Sequence, residues 1–336
     1  MPDTGGVNPI AGIRETVLVA PDSFKGTFTA GEVAEAIGSG LREGGRPVDL
    51  CPVADGGEGT LEALLSALGG ELHAVQVNDP LGRPIEAQFA LSASTAIVET
   101  AATSGLGLVA EDERDAIEAS TFGSGQLLVA AAAAGADTIL LGVGGSATTD
   151  GGAGAIRAIE RGGGLDGVRL VVLCDVRTTF ADAARVFGPQ KGADGDQVRR
   201  LTARLNAQAR RLPRDPRGVP MTGAAGGLSG GLWAALGAEL VSGSAFVLDA
   251  IGFDARMRVA RAVITGEGKL DEQSLVGKVV SEVATRSRQA GVPCHAVVGT
   301  RQLDAMGTRV LDLERVLEAT TLVELRDAGR ELAGVL

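Results

Sequence analysis

The chain has 336 residues, 45% of them hydrophobic and 22% charged, which is enough apolar material for one large or two ordinary α/β domains. A formal net charge of −11 argues against nucleic acid or any other polyanion as a partner. The longest aliphatic run, 127–134, is too short to span a bilayer, and the opening residues carry neither a basic nor an apolar leader region, so no membrane partner and a cytoplasmic location are expected.

In chain order, ETVLVAPD (15–22) reads as a buried strand ending in polar residues, and Thr29 with Glu32 forms a capping box that opens a helix. Residues 48–68 repeat the pattern: an apolar strand, a Gly-rich turn, then a helix with Leu61, Leu64, Leu65 and Leu68 on one face. Two such units predict a parallel sheet whose ligands lie beyond the C-terminal strand ends. Between Val75 and Glu99 the segments shorten around the turn signal Asn78–Gly82, which predicts antiparallel structure and a second domain. A helix (120–135), a strand (138–143), a helix from about 153 to 161 and a strand (168–175) that delivers Asp175 follow. Residues 196–212 read as an Arg-rich helix, and 213–220 as a loop. From residue 262 the sequence reads as strand, then Gly-rich loop, then a helix closed by Gly291 and Pro293, then another strand. The expected organisation is one discontinuous parallel-sheet domain, 15–77 with 262–336, and an inserted domain, 78–261.

Cys51, Cys174 and Cys294 lack any CxxC or Cys/His pairing and read as small buried apolar residues. With only His73 and His295 available, proton transfer falls to carboxylates. Lysine usage is more telling: the chain has 27 Arg but only four Lys, and Lys25, Lys191, Lys269 and Lys278 each adjoin a glycine. A compact ammonium beside unshielded backbone suits phosphoryl oxygens.

APDSFKG (20–26) puts Asp22, Ser23 and Lys25 just past a strand end, and ADGGEGT (54–60) sets Asp55 and Glu58 at a helix start. Glu58 suits the helix dipole, which leaves Asp55 for a metal or a proton. GVGGSATTDGGAGA (142–155) contains a literal dinucleotide fingerprint, with Glu160 or Asp166 near the spacing of a ribose acid. Against that reading, Asp150 in the first helical turn would repel a pyrophosphate; Thr148, Thr149 and Asp150, with Ser146 beside them, fit hydroxyl or metal binding better. Asp175 either caps a strand end or functions. Lys191 stands in a loop, and Gly226 and Gly227 in TGAAGGLSGGL form either an anion nest or helix-entry packing. The densest cluster is TGEGKLDEQSLVGK (265–278), with Glu267, Lys269, Asp271, Gln273, Ser274 and Lys278. No GxxxxGK[ST] and no protein-kinase signature set occur.

Taken in order, APDSFKG, ADGGEGT, AATSGLGLV, GVGGSATTDGGAG, CDV, VFGPQKGA, GAAGGL and VITGEGKLDEQSLVGK resemble the bacterial glycerate kinase family of the glyoxylate- and glucarate-pathway type, over nearly the whole chain. The resemblance implies an ATP-dependent, Mg²⁺-requiring kinase of D-glycerate that gives mostly 2-phosphoglycerate. It also implies two α/β domains, a discontinuous flavodoxin-like parallel-sheet domain with an inserted mixed α/β domain. Phosphoryl transfer needs charge neutralisation and a base near the attacking hydroxyl, and on that ground Lys25, Lys269 and Lys278 are expected to contact phosphoryl groups or the glycerate carboxylate, with Asp22, Ser23, Ser146, Thr148, Lys191, Gly226, Gly227 and Glu267 in the binding sites. Asp175 and Asp271 help hold Mg²⁺, and Asp55 or Asp150 accepts the hydroxyl proton. One departure is the short stretch between DGGAGA and CDV, where family members usually carry a longer segment; acceptor specificity or subunit contacts could differ there. The alternatives are an NAD-dependent oxidoreductase built on GVGGSA, a non-catalytic sensor of glycerate-like acids, a 3-phosphate product, and another small hydroxy acid as acceptor. A homodimer is compatible with the sequence.

Overall fold

A computed structural model describes residues 15–275 and 277–336. In chain order its strands are β1 (Val17–Pro21), β2 (Val48–Leu50), β3 (Glu71–Asn78), β4 (Pro84–Ser92), β5 (Thr95–Glu99), β6 (Thr138–Gly142), β7 (Arg169–Leu173), β8 (Glu239–Val241), β9 (Ala262–Leu270), β10 (Cys294–Arg301) and β11 (Val316–Glu318). They make a five-stranded sheet in the order β11-β10-β9-β1-β2 and a six-stranded sheet in the order β3-β4-β5-β6-β7-β8. Two compact units contain them, one running to Ala54 and resuming at Leu248, the other Asp55–Val247. Among the described residues no helix is long and apolar enough to cross a membrane.

Every strand pair of the first unit is parallel. Numbered along that unit alone, the strands run 2-1-3-4-5, the flavodoxin-like order, with the second unit inserted between the second and third strands. The helices Ala30–Glu43 and Leu322–Ala333 bury Ile37, Leu41, Leu325 and Leu332 against Val17, Val19, Ile264 and Val297. The Thr29–Glu32 capping box is formed. A further helix, Val279–Ala290, packs on β1, β9 and β10 and ends at Gly291 in a left-handed conformation.

In the second unit β3, β4 and β5 form an antiparallel meander, and β5 through β8 are parallel. Phe89, Val98, Leu127, Ile139, Leu141, Val172 and Leu228 are part of its main core, and Phe180, Leu201 and Leu205 anchor a smaller one.

Two local expectations change. The units divide at Ala54/Asp55 and Val247/Leu248, whereas boundaries at Val77 and Ala262 were expected. Helix Thr60–Leu68 packs on β4 and β5, and β3 pairs with β4, so residues 55–77 go with the second unit. Helix Phe253–Val259 goes with the first, where Arg256 clamps the Asp49 carboxylate and the Leu50 carbonyl. The other change is at GEGKL, expected as loop, which continues β9 because Lys269 and Leu270 pair with Thr300 and Arg301 of β10.

Candidate active site

The first sheet has its topological switch point between β1 and β9: from β1 the chain passes to β2 on one side and later to β9 on the other. Beyond the C-terminal ends of such strands the turns diverge and leave a crevice. A cavity of about 300 Å³ lies there, lined by Asp22, Ser23, Phe24, Lys25 and Thr27 after β1, and by Glu267, Gly268 and Lys269 of β9. Gly299 and Thr300 of β10, Thr320 after β11, and Lys278 complete the lining.

Local sequence explains each placement. Phe24 and Phe28 exchange both backbone hydrogen bonds, at 2.9 and 3.0 Å, so the residues between them, Lys25 included, form a tight loop on the buried Phe24 ring. Lys278 stands immediately before helix Val279–Ala290, with its N–H held by Ser281 Oγ at 3.2 Å, so its ammonium and the positive end of the helix dipole serve the same cavity. Three of the four lysines in the chain therefore line one cavity.

Two carboxylates accompany them. Asp22 and Glu267 are buried, at 4% and 7% exposure, and Lys278 Nζ lies 3.8 Å from Glu267 Oε2. Burial pushes the Glu267 pKa up, while the Ser274 hydroxyl, Lys278 and Lys25 pull against it. Glu267 Oε1 is buried without a hydrogen-bond partner among the described residues. Asp271 is more exposed and pairs with Lys269 at 3.3 Å.

The second unit holds the remaining sequence candidates. Asp175, just past β7, accepts hydrogen bonds from Ser242 Oγ at 2.8 Å and from Ser244 N–H at 3.0 Å. Burial pushes it up to about 6, opposed by the two serines and reinforced by the Asp55 charge. A carboxyl whose pKa is raised by folding favours the native state only while it stays protonated, so its contribution is present below about pH 4 and lost as pH rises through about 6. Asp175→Asn is accordingly expected to raise stability at pH 7 by about 2–3 kcal/mol and to lose that advantage near pH 4, read from melting curves of both proteins across that range.

Asp150 accepts from Thr121 N–H at 2.9 Å, Gly152 N–H at 3.0 Å and Gly154 N–H at 3.0 Å, and from the Thr121 hydroxyl. Two of these amides, Gly152 and Gly154, stand at the start of helix Ala153–Arg161, whose N-cap is Gly152. Ser146 Oγ and Thr148 Oγ1 bond each other at 2.8 Å, both residues buried. Lys191 is buried and donates to the Thr148 carbonyl; burial pushes it down to about 7 against the pull of Asp150. Gly226 lies against Thr148 and Thr149, and Gly226 O accepts from Gly151 N–H at 3.0 Å. Ser146, Thr148, Asp150, Lys191 and Gly226 are thus drawn into one region of the second unit's interior, while Gly227 packs on Gly151 and Phe180.

The family model described as "Glycerate kinase family" matches residues 17–162 and 160–331. A protein named glycerate kinase from Halalkalibacterium halodurans is 40% identical over 324 residues, covering 85% of each chain. One named glycerate 2-kinase from Escherichia coli K12 is 37% identical over 84% of this chain and 85% of its own. A crystal structure from Salmonella typhimurium LT2, described as a candidate glycerate kinase 2, superposes with a TM-score of 0.78 at 33% identity, covering 96% of this chain and 98% of its own. The chain belongs to the glycerate kinase family. It is a kinase, and the oxidoreductase reading of GVGGSA falls with the geometry: Asp150 occupies the helix N–H groups where a pyrophosphate would sit. Gly144 meets the backbone of Gly57 where a ligand would be needed. The two matched stretches overlap at residues 160–162, between GVGGSATTDGGAGA and Asp175.

Sequence reading passed over Thr300 near the end of β10 and Thr320 just past β11, and Ser242 and Ser244, which hold Asp175. It also passed over Glu99, whose half-buried carboxylate accepts from Leu61 N–H at 2.7 Å at the start of helix Thr60–Leu68. The available signal was the one that exposed Asp22: a polar residue at the end of an apolar strand.

Proposed function

We propose that this glycerate kinase family member transfers the γ-phosphoryl group of ATP to the 2-hydroxyl of D-glycerate, with Mg²⁺, in the cytoplasm. The observation that carries the reading is the convergence of Lys25, Lys269 and Lys278 on a cavity at the switch point of a parallel sheet. Phosphoryl transfer needs alignment and charge neutralisation more than covalent chemistry from the protein. The three ammonium groups hold phosphoryl oxygens, or the glycerate carboxylate, and the N-terminus of helix Val279–Ala290 adds the positive end of its dipole. Mg²⁺, when bound, neutralises charge on the β- and γ-phosphoryl oxygens. The donor set fits it, because Glu267 presents a buried carboxylate oxygen with no donor of its own among the described residues.

Asp55 and Asp150 were the two candidates for the base that takes the hydroxyl proton. The Asp150 carboxylate, 9% exposed, is held by the amides of Thr121, Gly152 and Gly154, whereas Asp55, half-buried, accepts from Gly57 N–H at 2.9 Å; the greater exposure supports Asp55. Asp55→Asn is expected to lower kcat at saturating glycerate by about 10²-fold or more with little change in melting temperature. Asp150→Asn should do the reverse, removing acceptor capacity from a helix start and lowering the melting temperature first. If Asp55→Asn keeps near-normal kcat, Asp55 is not the base.

Incubating the protein with D-glycerate, ATP and Mg²⁺ tests the reaction itself. Release of ADP in step with glycerate consumption is expected. Glycerate binding without ADP would instead indicate a sensor that has lost turnover.

A further inference from the structure

Resting on that reading of the cavity as the nucleotide's phosphate site, we infer that Asp22 and Glu267 are the protein ligands of the divalent cation that accompanies the phosphates, in place of Asp175 and Asp271. Pro21 pairs with Gly266 in parallel register, and Asp22 N–H donates to the Gly266 carbonyl at 2.8 Å. Asp22 and Glu267 are therefore the next positions on neighbouring strands, where side chains in register share a face of the sheet. Both line the cavity and both are buried.

Glu267 Oε1 supplies the second observation. Its side chain is only 9% exposed, yet this oxygen meets no donor, and a buried acceptor left unpaired is costly. Lys278 approaches the other oxygen, Oε2. A cation at Oε1 relieves the deficit, and magnesium commonly takes one or two carboxylates and fills its remaining positions with phosphoryl oxygens and water. The charges agree. Three ammonium groups against two carboxylates leave one net positive charge at the cavity, less than a triphosphate needs. Neither rival is part of the cavity lining: Asp175 is held by Ser242 and Ser244, and Asp271 by Lys269 and the Gln273 N–H, while Asp22, which accepts from Ser23 N–H at 2.7 Å, and Glu267 both line it.

The test is Mn²⁺ binding to the full chain, read as loss of the free-ion electron paramagnetic resonance signal, with the non-hydrolysable analogue AMP-PNP present. Glu267→Gln and Asp22→Asn should each weaken Mn²⁺ binding by about tenfold or more. Asp175→Asn and Asp271→Asn should leave it within about twofold of wild type, and metal-free AMP-PNP affinity should not fall in Glu267→Gln. Wild-type Mn²⁺ affinity in both Glu267→Gln and Asp22→Asn, or loss confined to Asp175→Asn or Asp271→Asn, would overturn the assignment. Melting curves separate a lost ligand from a lost fold, and if Glu267→Gln does not fold, Asp22→Asn alone decides. Failure of the wild-type chain to bind AMP-PNP at all refutes the nucleotide reading instead.

Discussion

Replacing Lys25 and Lys278 by methionine will each lower kcat/KM for ATP by about 10²–10³-fold, with the fold intact. Methionine keeps the length and apolar stem of lysine and removes the charge, so the change isolates electrostatics from packing. Lys25 sits in a tight loop pinned by Phe24 and Phe28, and Lys278 sits at a helix start with 26% of its side chain exposed. Neither has far to move to meet a phosphoryl group, and pre-positioned charge is what stabilises a phosphoryl-transfer transition state. Lys269 is 51% exposed and already paired with Asp271, so Lys269→Met should cost less, about tenfold. Lys191, buried in the second unit where it holds the Thr148 carbonyl, is the comparison: Lys191→Met should lower the melting temperature more than the other three and kcat/KM for ATP less than Lys25→Met. Steady-state kinetics on all four variants, beside their melting curves, checks the ranking. Equal losses in Lys25→Met and Lys191→Met would break the link between the cavity and turnover.

Gly226→Ala will destabilise the protein by about 4 kcal/mol or more, seen as a melting temperature lower by about 10 °C or as loss of soluble protein. Residue 226 has φ +63°, a left-handed conformation that alone costs an L-residue roughly 1–2 kcal/mol. Space makes the larger contribution. An added Cβ would fall inside the van der Waals envelope of the Thr148 carbonyl oxygen and 2.6 Å from Thr149 Cα. Both obstacles are backbone, and that backbone is held by Lys191 and Arg204, so no side-chain rotation relieves the clash. Gly26→Ala is the comparison: φ there is +79°, but nothing lies within 4 Å of the added atom. It should cost only about 1 kcal/mol.

Much of the first unit was legible in the sequence because its signals are local. The Thr29–Glu32 spacing specifies its own cap, and apolar strands ending in polar residues announce which end of a parallel sheet carries ligands. The scarcity of lysine marks four residues, of which Lys25, Lys269 and Lys278 share one cavity while Lys191 is buried in the second unit. What stayed hidden depended on distant partners. The amphipathic face of helix Thr60–Leu68 shows that it packs, not which sheet it packs on. Asp150 resembles a ligand-binding acid until Thr121, 29 positions earlier, and the amides of its own helix are seen to occupy it. The glycines of 142–155 announce missing side chains without saying what fills the space. At Gly144 it is the backbone of Gly57, and at Gly152 it is Leu228.

Proton-coupled ³¹P nuclear magnetic resonance of a mixture of the protein with D-glycerate, ATP and Mg²⁺ tests glycerate 2-phosphorylation most directly. A phosphomonoester resonance that grows with ADP and is split into a doublet by the single proton on C2 is the expected result. A triplet, from the two protons on C3, would place the phosphate on the other hydroxyl, and the absence of any phosphomonoester from folded, nucleotide-binding protein would contradict the kinase mechanism itself.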